Sequence, residues 1–419
     1  MDTEKQKKEK KTPRIIAWLK VYNPESRQSG SLECGSVDYP YLLLVLALLA
    51  FGLVMVYSSS SIYSIQRHGP ASTYFLRSHL IYLVAGLILT FPFVFYAQPW
   101  FWKLFTVILF VVTVLLLMAV LVIGQSFGGA KRWLNLGIVT IQPSELAKTA
   151  VVLVLSLYMS HYAGKIAKGN NWKTRFRYGV LMPGILLGVI LGLIVLEKHL
   201  SGLIIIGIIG VVVMLLGGSD WRWILGAALL LAAGAILVLS VSEYAQVRVD
   251  TWIHLDQADP LGKAWQSLQG LYAISSGGLR GTGLGASQLK FGYVSQPQND
   301  FIFTIICEEL GFFGAAAVLL LFAALVWRGF VIARHAPDRF TSMVAYGLSI
   351  KVAVQVLLNV AVVTNLIPNT GISLPFFSSG GTALIMQIFE AGILLSISRY
   401  RRVEEKEEEE PETVQAPGV

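Results

Sequence analysis

Apolar positions in this chain come in long uninterrupted runs. They fall at about residues 41–62, 79–97, 103–124, 143–162, 178–196, 200–217, 222–241, 301–327, 341–366 and 376–398. A helix rising about 1.5 Å per residue needs roughly 20 residues to cross the hydrocarbon core of a bilayer, and in lipid only helices and closed barrels satisfy their own backbone. The pattern predicts an all-α, polytopic membrane protein with about ten transmembrane helices. Several runs are short or interrupted by Gly and Pro. Between the seventh and eighth, residues 242–299 break the pattern and predict one long extracytoplasmic loop; within it 264–276 reads as an amphipathic helix with Trp265, Leu268, Leu271 and Tyr272 on one face.

One polar position stands out against this background. In PQNDFIFTIICEELGFFG, residues 297–314, a polar run ending in Asp300 meets the apolar run 301–327 without a gap, which sets Asp300 at the lip of a membrane helix. An ionisable group there faces water, a partner or a substrate. The competing reading is a helix cap, in which the carboxylate bonds the free N–H groups of the first turn.

Composition sharpens the class. Of 419 residues, 55% are hydrophobic and 14% charged, against roughly 25% charged in soluble domains, and mean hydropathy is +0.64. The net charge of +8 does not point to nucleic acid, because Lys and Arg collect in short loops and in the N-terminal tail. Counted on alternating sides they number about 22 on the side of that tail and about nine on the other. Both termini are therefore predicted to be cytoplasmic, with an even number of spans. The chain divides into a basic tail (1–39), a ten-span domain (40–402) and an acidic tail (403–419). KQKKEKKTPR has no apolar segment directly behind it, so no cleavable signal peptide is read. Cys34 and Cys307 fall on different elements, which predicts neither a disulfide nor a cysteine-based metal site.

Five further clusters carry candidate chemistry. Lys131 and Arg132 form a basic pair ahead of a Pro-started helix; guanidinium matches phosphate oxygens two at a time. Glu145 and Lys148, at i and i+3, share a helix face, either as a self-neutralising pair or as one residue posing the other for a polar ligand. Glu197, Lys198 and His199 lie in a gap of about four residues between spans, at the water boundary. His199 reads as a solvated loop histidine or as an acid, base or metal ligand. The run SSGGLRGTGLGAS, with Arg280 and Lys290, reads as a flexible connection or as a phosphate-binding loop; no strand precedes it and no GK[ST] ends it, so it is no nucleotide fingerprint. Finally, IPNTGISLPFFSSGGT is broken backbone at membrane depth, tolerated where protein buries it or where it lines a watery cavity, and Lys351 and Glu390 are placed to pair beside it.

RWLNLG, QPSELAK, GLGASQLK, PQNDFIF with CEELG, and LPFFSSGGT occur in that order across about residues 40–402. Together they resemble the SEDS family (shape, elongation, division and sporulation), with the GLGASQLK run and the NDFIF context closer to its division and sporulation branch. The resemblance implies a ten-span enzyme of the bacterial cytoplasmic membrane that polymerises lipid II at the outer face, with inversion and a polyprenyl diphosphate leaving group. It implies a class B penicillin-binding protein as transpeptidase partner, other division or elongation machinery, and no nucleic acid. The essential acid lands on Asp300, the expected general base. Arg132, Lys131, Lys148 and Arg280 would then stabilise the diphosphate, with Glu145 and Lys290 also in the substrate-binding set. A divalent cation, Mg or Mn, could share that work, with its ligands unknown; no organic cofactor is implied. The chain departs from the family pattern at His199, where an Asp is usual, at Ser379 in place of a Tyr, and at Ser295-Gln296 in place of Pro-Glu. A flippase for a lipid-linked precursor and a non-catalytic division scaffold are the rival readings.

Overall fold

The computed structural model describes residues 31–69, 73–127, 130–135, 137, 140–167, 171–241, 243–255 and 264–403. Most of the expected basic tail and all but the first residue of the acidic tail lie outside them. The helical body is one compact unit, Cys34–Arg401. A second unit comprises 1–33 and 402–419; its described residues lie in the short strands β1 (Ser31–Cys34) and β5 (Tyr400–Val403).

The apolar runs become helices α1 (Tyr39–His68), α2 (Tyr74–Tyr96), α3 (Pro99–Ile123), α4 (Pro143–His161), α5 (Trp172–Leu196), α6 (Leu200–Leu216) and α7 (Trp221–Val241). After α8 (Glu243–Ile253) and α9 (Trp265–Gly277) come α10 (Ile302–Arg334), α11 (Arg339–Val363) and α12 (Gly381–Ser398). Seven of these, α1–α3, α5 and α10–α12, are long and apolar enough to cross a membrane. The other three predicted positions are filled by α4, which carries buried Glu145 and Lys148, and by α6 and α7, whose apolar stretches are shorter.

Chain entry and exit lie at one end of the body. There the Gly35 N–H donates to the Arg399 carbonyl at 2.7 Å, Asp38 caps α1 through the Tyr41 N–H and accepts three bonds from Arg328, and Lys103 pairs with Asp338, the cap of α11. Charges at this end thus fasten helix termini to one another. They also serve as caps, each worth about 0.5–2 kcal/mol.

Two parts of the sequence reading are corrected. Residues 125–141, expected to be loop, contain a three-stranded antiparallel sheet of β2 (Gln125–Phe127), β3 (Ala130–Asn135) and β4 (Thr140–Ile141). The segment before Asp300 is also not a loose connection, since it packs on α10. Helix α9 buries Ala264, Ser267, Gly270, Ala273 and Gly277; the small face, not the expected Trp265–Tyr272 face, is the one that packs. A Cβ on Gly270 would press on the Phe301 ring, and one on Gly277 would overlap the Cys307 carbonyl. The segment then runs alongside α10 as far as Gly311, where α10 breaks (φ 67°, ψ −168°).

At that break the backbone is spliced. An unbroken helix would bond the Phe312 and Phe313 N–H groups to the Glu308 and Glu309 carbonyls. Instead those carbonyls accept from Thr282 and Gly283 at 2.9 Å each, and Phe312 and Phe313 donate to Gly278 and Leu279 at 2.9 and 3.2 Å. Two helix bonds are replaced by four to the Gly-rich run, so no backbone group is orphaned. Gly311 lies nine residues past the first of α10, roughly 14 Å along its axis. The Gly-rich run therefore packs beside α10 well past its first turn. Gly311 sits in a φ/ψ region essentially restricted to glycine, costing other residues about 1–3 kcal/mol, and its Cβ would overlap Gly281 and Arg280 backbone. Gly311→Ala should lower the Tm of purified protein, whereas Gly207→Ala, where a Cβ meets nothing, should hold or raise it; equal Tm values for the two would contradict the splice.

Candidate active site

At the end of the body opposite Gly35 and Arg399, a cavity of about 300 Å³ is lined by Arg132, Glu145, Lys148, His199, Asp300 and Ser378, among others. Five separate stretches bring these side chains together. Gln125 pairs with Trp133 and Ser126 with Lys131, so Arg132 is the extra residue of a β-bulge. Bulges re-aim side chains; here Arg132 and Trp133 both reach the cavity while Lys131 is exposed. Pro143 opens α4, and the first two turns carry Glu145 and Lys148, an ion pair at 2.6 Å with both side chains buried.

Asp300 directly precedes Phe301, the N-cap residue of α10, and lines the cavity. Its backbone is held by other groups: the Asn359 amide donates to the Asp300 and Ile372 carbonyls at 2.8 and 2.6 Å. Next to it, Ser378 Oγ donates to the Asn299 carbonyl at 3.0 Å and the Ser379 N–H to that of Gln298 at 2.8 Å. Thus the turn before α10 is tied to the broken backbone of 371–379. Gly371 (φ 73°) leaves room for the acid, since a Cβ there would stand 3.1 Å from Asp300 Oδ2. Three of the four described non-glycine residues at positive φ, Lys198, Gln296 and Phe376, fall in the turns around this cavity. Backbone strain of that kind persists only where the surroundings enforce it.

The 197–199 turn corrects a second expectation. Glu197 and His199 are not solvated; they are 1% and 7% exposed. Neither Glu197 oxygen has a hydrogen-bond partner, and burial pushes its carboxyl up to about 8, with Arg132 acting in the other direction. Burial, then the charges of Arg132 and Lys148, hold His199 down at about 3. The raised Glu197 value contributes stability that is full below about pH 4.5 and lost as pH rises through about 8. The lowered His199 value contributes stability that is present above about 6.5 and lost as pH falls. From pH 6.5 to about 9 only the Glu197 contribution changes within this pair. Over that interval Tm should fall, and Glu197→Gln should flatten the fall; an identical slope in the variant would refute the assignment.

The sequence-predicted residues do not all converge. Arg132, Glu145, Lys148 and Asp300 meet at the cavity, while Lys131, Arg280 and Lys290 do not line it. Lys290 is buried in a network at the α10 break, bonded to Glu309 Oε1 (2.9 Å) and the Gly285 carbonyl (2.7 Å). Ser58 donates to the same Glu309 carboxylate, and Glu308 accepts from the Gln288 N–H at 2.8 Å and from Ser287 Oγ. Lys290 thus anchors the Gly-rich run to α10. Among the described residues no three His, Cys, Asp or Glu side chains cluster to hold a metal ion, and Glu145 is already paired. Among the described residues, the protein's own side chains thus gather no ligand set for a divalent cation.

The profile of the FtsW/RodA/SpoVE cell cycle protein family matches residues 39–403. The chain belongs to this family. It is similar to stage V sporulation protein E of Bacillus subtilis, at 37% identity over 370 residues, 88% of this chain and 98% of the relative. It is likewise similar to the probable peptidoglycan glycosyltransferase FtsW of the same organism, at 35% over 390 residues, 90% of this chain and 94% of the relative. A solved chain from a peptidoglycan synthase complex, studied for the coordination of polymerization and crosslinking, superposes with TM-score 0.70 at 26% identity over 87% of this chain and 98% of its own. RodA of Thermus thermophilus superposes with TM-score 0.63 at 26% identity, over 87% and 97%.

In this FtsW/RodA/SpoVE family member a polar stripe on α11 supports the cavity from below. Lys351, Gln355 and Asn359 recur at i, i+4 and i+8, hence on one face. Lys351 pairs with Glu390 of α12 as the sequence suggested, Gln355 donates to the Ser373 carbonyl, and Asn359 holds Asp300. Thr149 of α4 also bonds Glu390, so three helices share one buried pair. Gln355 and Asn359 were missed in the sequence, although polar residues four apart in an apolar run were the available signal.

Proposed function

We propose that this chain is a peptidoglycan glycosyltransferase that polymerises lipid II at the outer face of the cytoplasmic membrane, its termini in the cytoplasm. The observation that carries the reading is the meeting of one acid, Asp300, with two cations, Arg132 and Lys148, in a single cavity at the end of α10. The 4-hydroxyl of one lipid-linked sugar attacks the anomeric carbon of the other with inversion, and the bond from that carbon to the diphosphate breaks. Asp300 takes the hydroxyl proton as general base, which requires its carboxylate within about 3 Å of that oxygen. Arg132 and Lys148 stabilise the charge that the departing polyprenyl diphosphate gathers, usually the largest catalytic contribution. The likeness to a chain of a peptidoglycan synthase complex supports a class B penicillin-binding protein as the crosslinking partner.

A flippase reading draws support from the broken α10 and the 371–379 turn, because discontinuous helices also build transport sites. Purified protein with fluorescent lipid II in detergent separates the two. Glycan ladders are the expected result; translocation in vesicles with no ladders would overturn the glycosyltransferase.

A further inference from the structure

We infer that the imidazole of His199 is a substrate contact, a hydrogen-bond donor to a phosphate oxygen of the diphosphate that the cavity takes. The inference rests on the glycosyltransferase reading and names a group of this chain that departs from its family's pattern.

The turn that carries His199 is built to hold it still. Lys198 adopts φ 55°, and its carbonyl accepts from Arg132 Nη2 at 2.7 Å. The His199 N–H donates to the Ile194 carbonyl at 3.3 Å, and its own carbonyl accepts the Leu203 N–H at 3.0 Å. The backbone of the residue is fully used. The side chain is not: His199 stands at the N-cap position of α6 without making a cap bond, and its Nδ1 is buried without a partner. The ring lies flat on the first turn of α6, where a Cβ on Gly202 would come 2.8 Å from Nδ1. An unsatisfied buried nitrogen costs about 1–3 kcal/mol, and the residue that carries it lines the cavity, where a ligand can supply a bond to the ring.

The surroundings select an anion. Arg132 from β3 and Lys148 from α4 face the ring, and Ser201 and Gly202 bring the positive end of α6 to the same wall. Glu145 is neutralised by Lys148, Glu197 lies beneath in the same turn, and Asp300 enters from the turn before α10. The 370–380 segment and α11 line the cavity with Gln355, Thr370, Ser373 and Ser378, none of which titrates. Burial, and after it Arg132 and Lys148, disfavour imidazolium. A bound diphosphate offsets those charges, so binding should draw a proton onto His199 and tighten the contact as pH falls.

The test is polymerisation of lipid II by full-length protein in detergent, comparing wild type with His199→Gln and His199→Ala, each checked for Tm. A bond from a charged or charge-facing donor implies a KM raised about ten-fold, with kcat changed less than about two-fold. Wild-type KM should fall between pH 7.0 and 5.5, a window in which Glu197 stays protonated, and the His199→Gln KM should stay flat. Farnesyl diphosphate, a probe without sugar, should raise the Tm of wild type at lower concentration than that of either variant. Folded variants with wild-type KM and pH profile would overturn the inference. So would a weakened KM with unchanged farnesyl diphosphate stabilisation, which would move the contact to the sugar or peptide. Wild-type protein that makes no strands would sink the glycosyltransferase reading instead, and the farnesyl diphosphate shifts would still report on His199.

Discussion

Asp300→Asn should abolish glycan-strand formation while leaving a folded, inserted protein. The two side chains are nearly isosteric, and the backbone at this position is held by the Asn359 amide and, through its neighbours, by Ser378 and Ser379. Removal of the negative charge is therefore the main change. An amide cannot take the proton of the attacking hydroxyl, and general-base catalysis contributes about 10²–10⁴-fold, so turnover should drop by at least the lower figure. Substrate affinity should change far less, since Arg132 and Lys148 remain. Asp300→Ala should show the same loss of turnover. Near wild-type turnover in Asp300→Asn with a normal Tm would refute the base assignment and leave Asp300 as a terminus-stabilising residue only.

The run lengths made the membrane helices legible because lipid imposes a single rule, satisfaction of every backbone group within the segment. Asp300 was legible for the same reason, as an acid that solvent or function must account for. What the linear pattern does not carry is depth in irregular segments. The Gly-rich run reads as a flexible connector because glycine raises the same signal in a loose loop and in a backbone that must approach another closely. Here Gly277, Gly281 and Gly311 permit the splice into α10. Lys290 was read toward substrate because its partner, Glu309, lies beyond Asp300 in the apolar run, where the acids of CEELG gave no hint of which way they face. His199 was left between a solvated loop histidine and an acid, base or metal ligand because a four-residue gap between helices ordinarily lies at water, whereas here the turn is buried and Arg132 of β3 bonds the Lys198 carbonyl. Arg132 reaches the cavity through a bulge, and an extra residue in a short strand leaves no trace in alternation. The site is thus made of residues whose chemistry was visible singly and whose convergence is a property of the fold.

The Glu145–Lys148 pair offers the sharpest division between architecture and function. Its members are 2.6 Å apart, side-chain exposure is 8% and 4%, and both line the cavity. Breaking a buried pair from one side leaves an uncompensated charge and costs about 3–5 kcal/mol, whereas replacing both with neutral groups of similar volume is often close to neutral. Glu145→Gln and Lys148→Met alone should each lower Tm sharply, and the double variant should recover much of that loss. If Lys148 binds the diphosphate and Glu145 orients it, recovery stops at stability. The double variant should then be as inactive in polymerisation as Lys148→Met, because no neutral side chain at 148 can stabilise the leaving group. A double-mutant cycle run in parallel on polymerisation rate and Tm separates the two contributions. Activity that returns along with stability in the double variant would remove Lys148 from the catalytic set, leaving Arg132 and His199 as the groups that meet the diphosphate.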